Sequence, residues 1–123
     1  MKLENIVKYS FGASAPFNFG AALVLAFPAS AAGQMVGLPA EVPLIYRLLV
    51  AMLVGLFGGI YAWVAMQSSV HRVIAAFSAT GKATVFVMAL ALCLKGEVGL
   101  GLVALASGDL AFAALWIYWL ARS

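Results

Sequence analysis

The chain alternates between long apolar stretches and short polar connections. The apolar stretches cover about residues 9–27, 44–66, 73–94 and 98–121. Each is close to the roughly 20 residues that an α-helix needs to cross a hydrocarbon core about 30 Å thick. Lipid offers no hydrogen bonds to a free backbone, and these stretches lack the alternation typical of barrel strands. The pattern therefore predicts four membrane-spanning helices.

The connections between the stretches predict how the helices are arranged. The longest, residues 28–43, contains three prolines and cannot be helical throughout. The links at 67–72 and 95–97 are short, and short links place consecutive helices side by side and antiparallel. We therefore expect one transmembrane domain over residues 1–123. Its fold class is all-α, an integral membrane four-helix bundle with antiparallel up-down topology and an outer loop at 28–43.

Composition agrees with a membrane location. The chain is 66% hydrophobic and 9% charged, whereas a soluble domain is about 45–50% apolar and about 25% charged. A water-soluble fold of this composition would expose large apolar patches and aggregate. Membrane lipid is thus the first expected partner.

The basic residues predict an orientation. In the predicted topology, both chain ends lie on one face of the membrane, together with four of these residues: Lys2, Lys8, Arg72 and Arg122. Cytoplasmic segments carry the excess of Lys and Arg, so we expect a multi-pass protein of the bacterial inner (plasma) membrane with both termini cytoplasmic. Four rings are expected at the inner interface: Trp63, Trp116, Tyr118 and Trp119.

Several kinds of chemistry have little support in the sequence. The formal charge is only +3 and no run of Lys or Arg occurs, so no nucleic-acid partner is expected. One cysteine, Cys93, and one histidine, His71, make a metal site or a bound cofactor unexpected. No nucleophile–base pair is evident, and an enzymatic activity is therefore not favoured.

Three polar residues fall near the middle of the predicted helices. A charge at a helix centre costs about 2.5–3.5 kcal/mol on insertion scales. Lys82 and Asp109 are about equally far from the turn at Lys95 and therefore lie at nearly the same height. Asn18 in the first helix lies at a comparable depth. The sequence predicts one polar layer made of Asn18, Lys82 and Asp109.

Arg47 is a fourth candidate, about one turn inside the second helix. Its side chain either extends outward to Glu41 or a lipid phosphate, or points into the bundle. In the second case Arg47 and Lys82 would outnumber Asp109, and the cleft would suit an anionic ligand.

Short motifs throughout the chain support a resemblance. They are Phe27-Pro28, Gly37-Leu38-Pro39, Tyr46-Arg47, Gly81-Lys82 and Gly108-Asp109-Leu110. With them, the chain resembles a family of small bacterial four-helix membrane proteins that are DoxX-like in size and helix count. The resemblance implies a fold but no established activity, and it draws attention to Arg47, Lys82 and Asp109.

Two functions remain open from the sequence. The first is a membrane protein whose mid-membrane polar site binds or carries a small or lipid-like ligand. The second is an accessory or assembly subunit of a larger membrane complex, in which Lys82 and Asp109 form a purely structural pair. A homo-oligomer is compatible with both.

Overall fold

The computed structural model describes residues 2–123, and its regular structure is entirely helical. Five helices follow in order: α1 Leu3–Ala26, α2 Ala31–Met35, α3 Leu44–Ala65, α4 Arg72–Leu94 and α5 Leu100–Arg122. No strand occurs between residues 2 and 123. The prediction of an all-α protein is confirmed.

The helix bounds differ from the sequence-based ones at three places. Helix α1 begins at Leu3 rather than near residue 9. Val7 is fully buried, and its packing in the core stabilises the first turns of the helix. The segment 28–43 contains the short helix α2, whose N-cap Ser30 accepts a hydrogen bond from Gly33 N at 3.2 Å. Helix α5 begins at Leu100 rather than at residue 98, after a turn through Gly96 at a φ of 78°.

Three helices, α3, α4 and α5, are long and apolar enough to cross a membrane. Helix α1 has 24 residues but is not among them. Its middle carries Ser10, Ser14, Pro16 and Asn18, which lower its hydropathy. The described chain therefore supports three of the four predicted spans directly.

The helices pack mainly in two pairs, α1 with α3 and α4 with α5, and α1 also contacts α5. Glycine allows the close approach of α1 and α3. A Cβ atom placed on Gly58 would lie 2.8 Å from the Phe19 ring and 3.2 Å from the Ala15 carbonyl oxygen. Its neighbour Gly59 has no such atom within 4 Å. Only one of these two glycines is thus needed for helix packing.

The hydrophobic core lies in the half of the helices nearest the chain ends. At its centre, the rings of Phe11 and Trp116 stack with centroids 4.0 Å apart. Trp116 Nε1 donates a hydrogen bond to Ser10 Oγ at 2.7 Å, which ties α5 to α1. Trp116 and Trp119 are buried, at 0% and 6% exposure. Both rings thus pack inside the bundle, whereas Trp63 and Tyr118, also expected at the inner interface, are exposed.

Candidate functional site

One polar cluster connects all four long helices. Lys82 on α4 is 4% exposed, and its Nζ donates to Asn18 Oδ1 at 3.1 Å and to Asp109 Oδ1. Asn18 Nδ2 donates in turn to the Val54 carbonyl oxygen on α3 at 3.1 Å. The structure thus brings together Asn18, Lys82 and Asp109, three of the four candidate residues, in what we call the polar layer.

Helix geometry explains why these side chains meet. Lys82 lies thirteen residues before Lys95 and Asp109 fourteen after it, so the helical rise puts the two at nearly equal heights. Both the oxygen and the nitrogen of the Asn18 amide are used, because the oxygen accepts from Lys82 and the nitrogen donates to a carbonyl of α3. A single amide therefore fixes α1 against two neighbouring helices.

Aromatic rings surround the buried ammonium group. Lys82 Nζ lies 5.1–5.9 Å from four ring centroids, those of Phe17, Tyr61, Phe112 and Trp116. The negative faces of such rings attract a cation within about 6 Å. The rings and the Asp109 carboxylate together offset part of the cost of removing this charge from water.

The sequence did not indicate that Phe17 and Trp116 belong to the site. Phe17 directly precedes Asn18, and adjacent residues of a helix point in different directions. Helical spacing alone therefore does not place Phe17 beside the polar layer. Trp116 lies two turns from Asp109, and its distance from a chain end suggested an interfacial role. The spacing of Trp116 and Asp109 on one face of α5 is the only sequence signal that links them.

Two buried serine hydroxyls adjoin the polar layer. Ser14 precedes Asn18 by four residues and Ser78 precedes Lys82 by four, so each lies one turn away on the same helix face. Both are buried, at 0% and 1% exposure. Ser14 Oγ has no hydrogen-bond partner within residues 2–123, whereas the Ser78 hydroxyl lies beside the Tyr61 hydroxyl. Buried polar groups normally have partners, so the Ser14 hydroxyl is a potential contact for a polar group of a ligand.

Arg47 is separate from the polar layer. Its Nη1 donates to the carbonyl oxygen of Ala26 at 2.8 Å, at the end of α1. Ala26 lies eight residues beyond Asn18, or about 12 Å along the helix at ~1.5 Å per residue. Within residues 2–123, Arg47 therefore contacts neither Asp109 nor Glu41 in an ion pair. A cation at a helix C-terminus is favoured by the exposed carbonyls there.

The surface pockets of the described chain include the following two. One, of about 870 Å³, lies at the end of α1 and the start of α3 and is lined by residues 27–30, 40–43 and Arg47. The other, of about 390 Å³, is an apolar groove between α3 and α4, and Ser78 is its polar lining residue. Neither is lined by Lys82 or Asp109.

The contribution of the amide is testable. Asn18→Leu should lower the free energy of unfolding by about 1–2 kcal/mol, because the Val54 carbonyl and Lys82 each lose a hydrogen bond between helices. Thermal unfolding in mild detergent measures this. Ser107→Ala is the matched control, since Ser107 is exposed and bonds only within its own helix, to Ala104. Equal melting temperatures for both variants would contradict a role of Asn18 in joining the helices.

Residues 2–123 contain no group of three or more His, Cys, Asp or Glu side chains arranged to hold a metal ion. Comparison of the chain with models of protein families, with curated proteins and with solved structures finds no match.

Proposed function

We propose that the chain is a small multi-pass membrane protein whose polar layer binds or carries a small or lipid-like ligand. The observation that carries this proposal is the unequal burial of the charge pair. Lys82 contacts one carboxylate oxygen of Asp109, Oδ1, and the Asp109 side chain keeps 16% exposure while Lys82 keeps 4%. The second oxygen of Asp109 is then an acceptor for a ligand at membrane depth.

The fold on which this proposal rests is an antiparallel up-down bundle of α1, α3, α4 and α5. Contacts at the helix ends support it. Val70 N, ahead of α4, donates to Glu4 at the start of α1 at 3.2 Å. Arg72 Nη2, at the start of α4, donates to the Leu120 carbonyl oxygen near the end of α5 at 3.1 Å. In this proposal α1 is the fourth span. Its polar face points to the polar layer and is therefore shielded from lipid.

The membrane and the orientation are part of the same proposal. The basic residues near the chain ends favour a bacterial inner membrane with both termini in the cytoplasm. The DoxX-like resemblance agrees with this arrangement in size and helix number, and it adds no activity.

The layer favours an uncharged ligand with a hydrogen-bond donor, such as a hydroxyl group. Lys82 and Asp109 cancel in charge, and Arg47 lies elsewhere, so the site has no excess positive charge for an anion. Ser14 adds a buried hydroxyl without a partner beside the layer. An anionic ligand, one option from the sequence, therefore has less support at this depth.

A second function is favoured by a different observation. Lys82 already has two hydrogen-bond partners and four rings, and neither of the two pockets described above is lined by the charge pair. A closed site of this kind suits a structural pair in an accessory subunit. Helix α3 then offers a contact surface, because most of its large apolar side chains are exposed.

One experiment separates the two functions. The wild-type protein and the Lys82→Met/Asp109→Leu double variant are purified in mild detergent, and small molecules are extracted and identified by mass spectrometry. Ligand binding predicts a molecule at near-stoichiometric amount in the wild type and its loss from the folded double variant. A folded double variant that retains the same molecules, together with a stoichiometric protein partner for both, would favour the accessory subunit.

A further inference from the structure

A second polar site lies at the opposite end of the helices from the core. The pocket of about 870 Å³ is formed where α1 ends and α3 begins. Its volume is in the range of small-molecule sites, roughly 300–1,000 Å³. Its lining combines apolar residues with two opposite charges, Glu41 and Arg47. This pocket is independent of the polar layer and of the function proposed for it.

The two charged residues of the pocket do not neutralise each other. The only ion pair within the described residues joins Lys82 to Asp109. Glu41 is exposed, and Arg47 is half-buried with Nη1 bonded to the Ala26 carbonyl oxygen. This bond holds the guanidinium in place beside the pocket. Arg47 Nε is buried and has no acceptor among residues 2–123, so contacts within the described chain do not saturate the guanidinium.

The start of α3 adds positive charge to the side of the pocket that carries Arg47. Helix α3 begins at Leu44, and no side chain caps its first turn. The unpaired N–H groups of the first turn of α3 carry partial positive charge, and they lie on the same side of the pocket as Arg47. Arg47 has the planar donor geometry that recognises phosphate or carboxylate oxygens. The pocket therefore has a positive side at Arg47 and a negative side at Glu41.

We propose that this pocket binds a zwitterion, with its oxyanion at Arg47 and its ammonium group at Glu41. A simple anion would meet repulsion from Glu41, and a simple cation would meet repulsion from Arg47. A zwitterionic phospholipid headgroup and a free zwitterion such as phosphoethanolamine share this chemistry. The pocket lies at the predicted end of two membrane helices, where lipid headgroups are located.

Native mass spectrometry of the purified full chain tests this proposal. The protein is exposed to equal amounts of phosphatidylethanolamine, which is zwitterionic, and phosphatidylglycerol, which is anionic. We expect the wild type to retain phosphatidylethanolamine with a preference of roughly tenfold, equivalent to about 1.4 kcal/mol. Glu41→Gln should remove the preference, and Glu41→Lys should reverse it. Glu97→Gln, the same change at an exposed residue outside the pocket, should leave it intact.

Competition by free phosphoethanolamine distinguishes the two sources of the ligand. Displacement of the bound lipid means that the headgroup alone is recognised, and retention means that the acyl chains also contribute. Both results support a zwitterion site if the preference depends on Glu41. The proposal is overturned if the wild type shows no preference, or if Glu41→Gln and Glu97→Gln leave the same preference.

Discussion

Replacing Asp109 with Asn is expected to lower the free energy of unfolding by about 3–5 kcal/mol, the usual cost of breaking a buried ion pair from one side. Lys82 is 4% exposed and receives its only compensating negative charge from Asp109 within the described residues. In Asp109→Asn the ammonium group would keep only neutral partners, which are the amide oxygens at positions 18 and 109 and the surrounding rings. Those contacts are weaker than a hydrogen bond between two opposite charges.

Reversible unfolding in mild detergent, by heat or by added denaturing detergent, measures this loss. Glu97→Gln is the matched control, because it removes one carboxylate charge from an exposed turn. It should leave the unfolding midpoint unchanged. A midpoint for Asp109→Asn equal to that of Glu97→Gln would mean that the carboxylate does not stabilise the buried ammonium group.

A bulky residue at Gly58 is expected to have the second largest effect. Even a Cβ atom there would lie 2.8 Å from the Phe19 ring and 3.2 Å from the backbone oxygen of Ala15. The ring can rotate away, but the backbone of α1 cannot move without separating from α3. Gly58→Leu should therefore lower the free energy of unfolding by about 3 kcal/mol, at the upper end of overpacking effects.

The neighbouring glycine is the control for this prediction. Gly59 has no atom of another segment within 4 Å of a built Cβ, so Gly59→Leu should be tolerated. Unfolding in the same detergent compares the two variants directly. If Gly59→Leu is the more damaging change, the face of α3 that packs on α1 has been assigned wrongly.

Much of the polar layer followed from the sequence because helical rise fixes depth. Counting residues from the turn at Lys95 was enough to place Lys82 and Asp109 at one height. The apolar stretches likewise predicted α3 and α4 with bounds close to those of the structure. Both results depend on distances along single helices, which are local properties of the chain.

The remaining features depend on how the helices rotate and pack. Arg47 donates a hydrogen bond to the last turn of α1, which lies next to it. Residue spacing within one helix cannot predict this contact between two helices. Phe17 and Trp116 approach Lys82 from two other helices. Helix α1 extends back to Leu3 because the core covers Val7. Each of these outcomes is set by neighbours that are distant in sequence.

The compensation of Lys82 by Asp109 is tested most directly by a double-mutant cycle. The variants are Lys82→Met, Asp109→Leu and the double change, each compared with the wild type by unfolding in one detergent. The double variant is expected to be more stable than Asp109→Leu, with a coupling of about 2–3 kcal/mol, because no charge is left buried alone. Losses for the two single variants that simply add in the double variant would contradict the account.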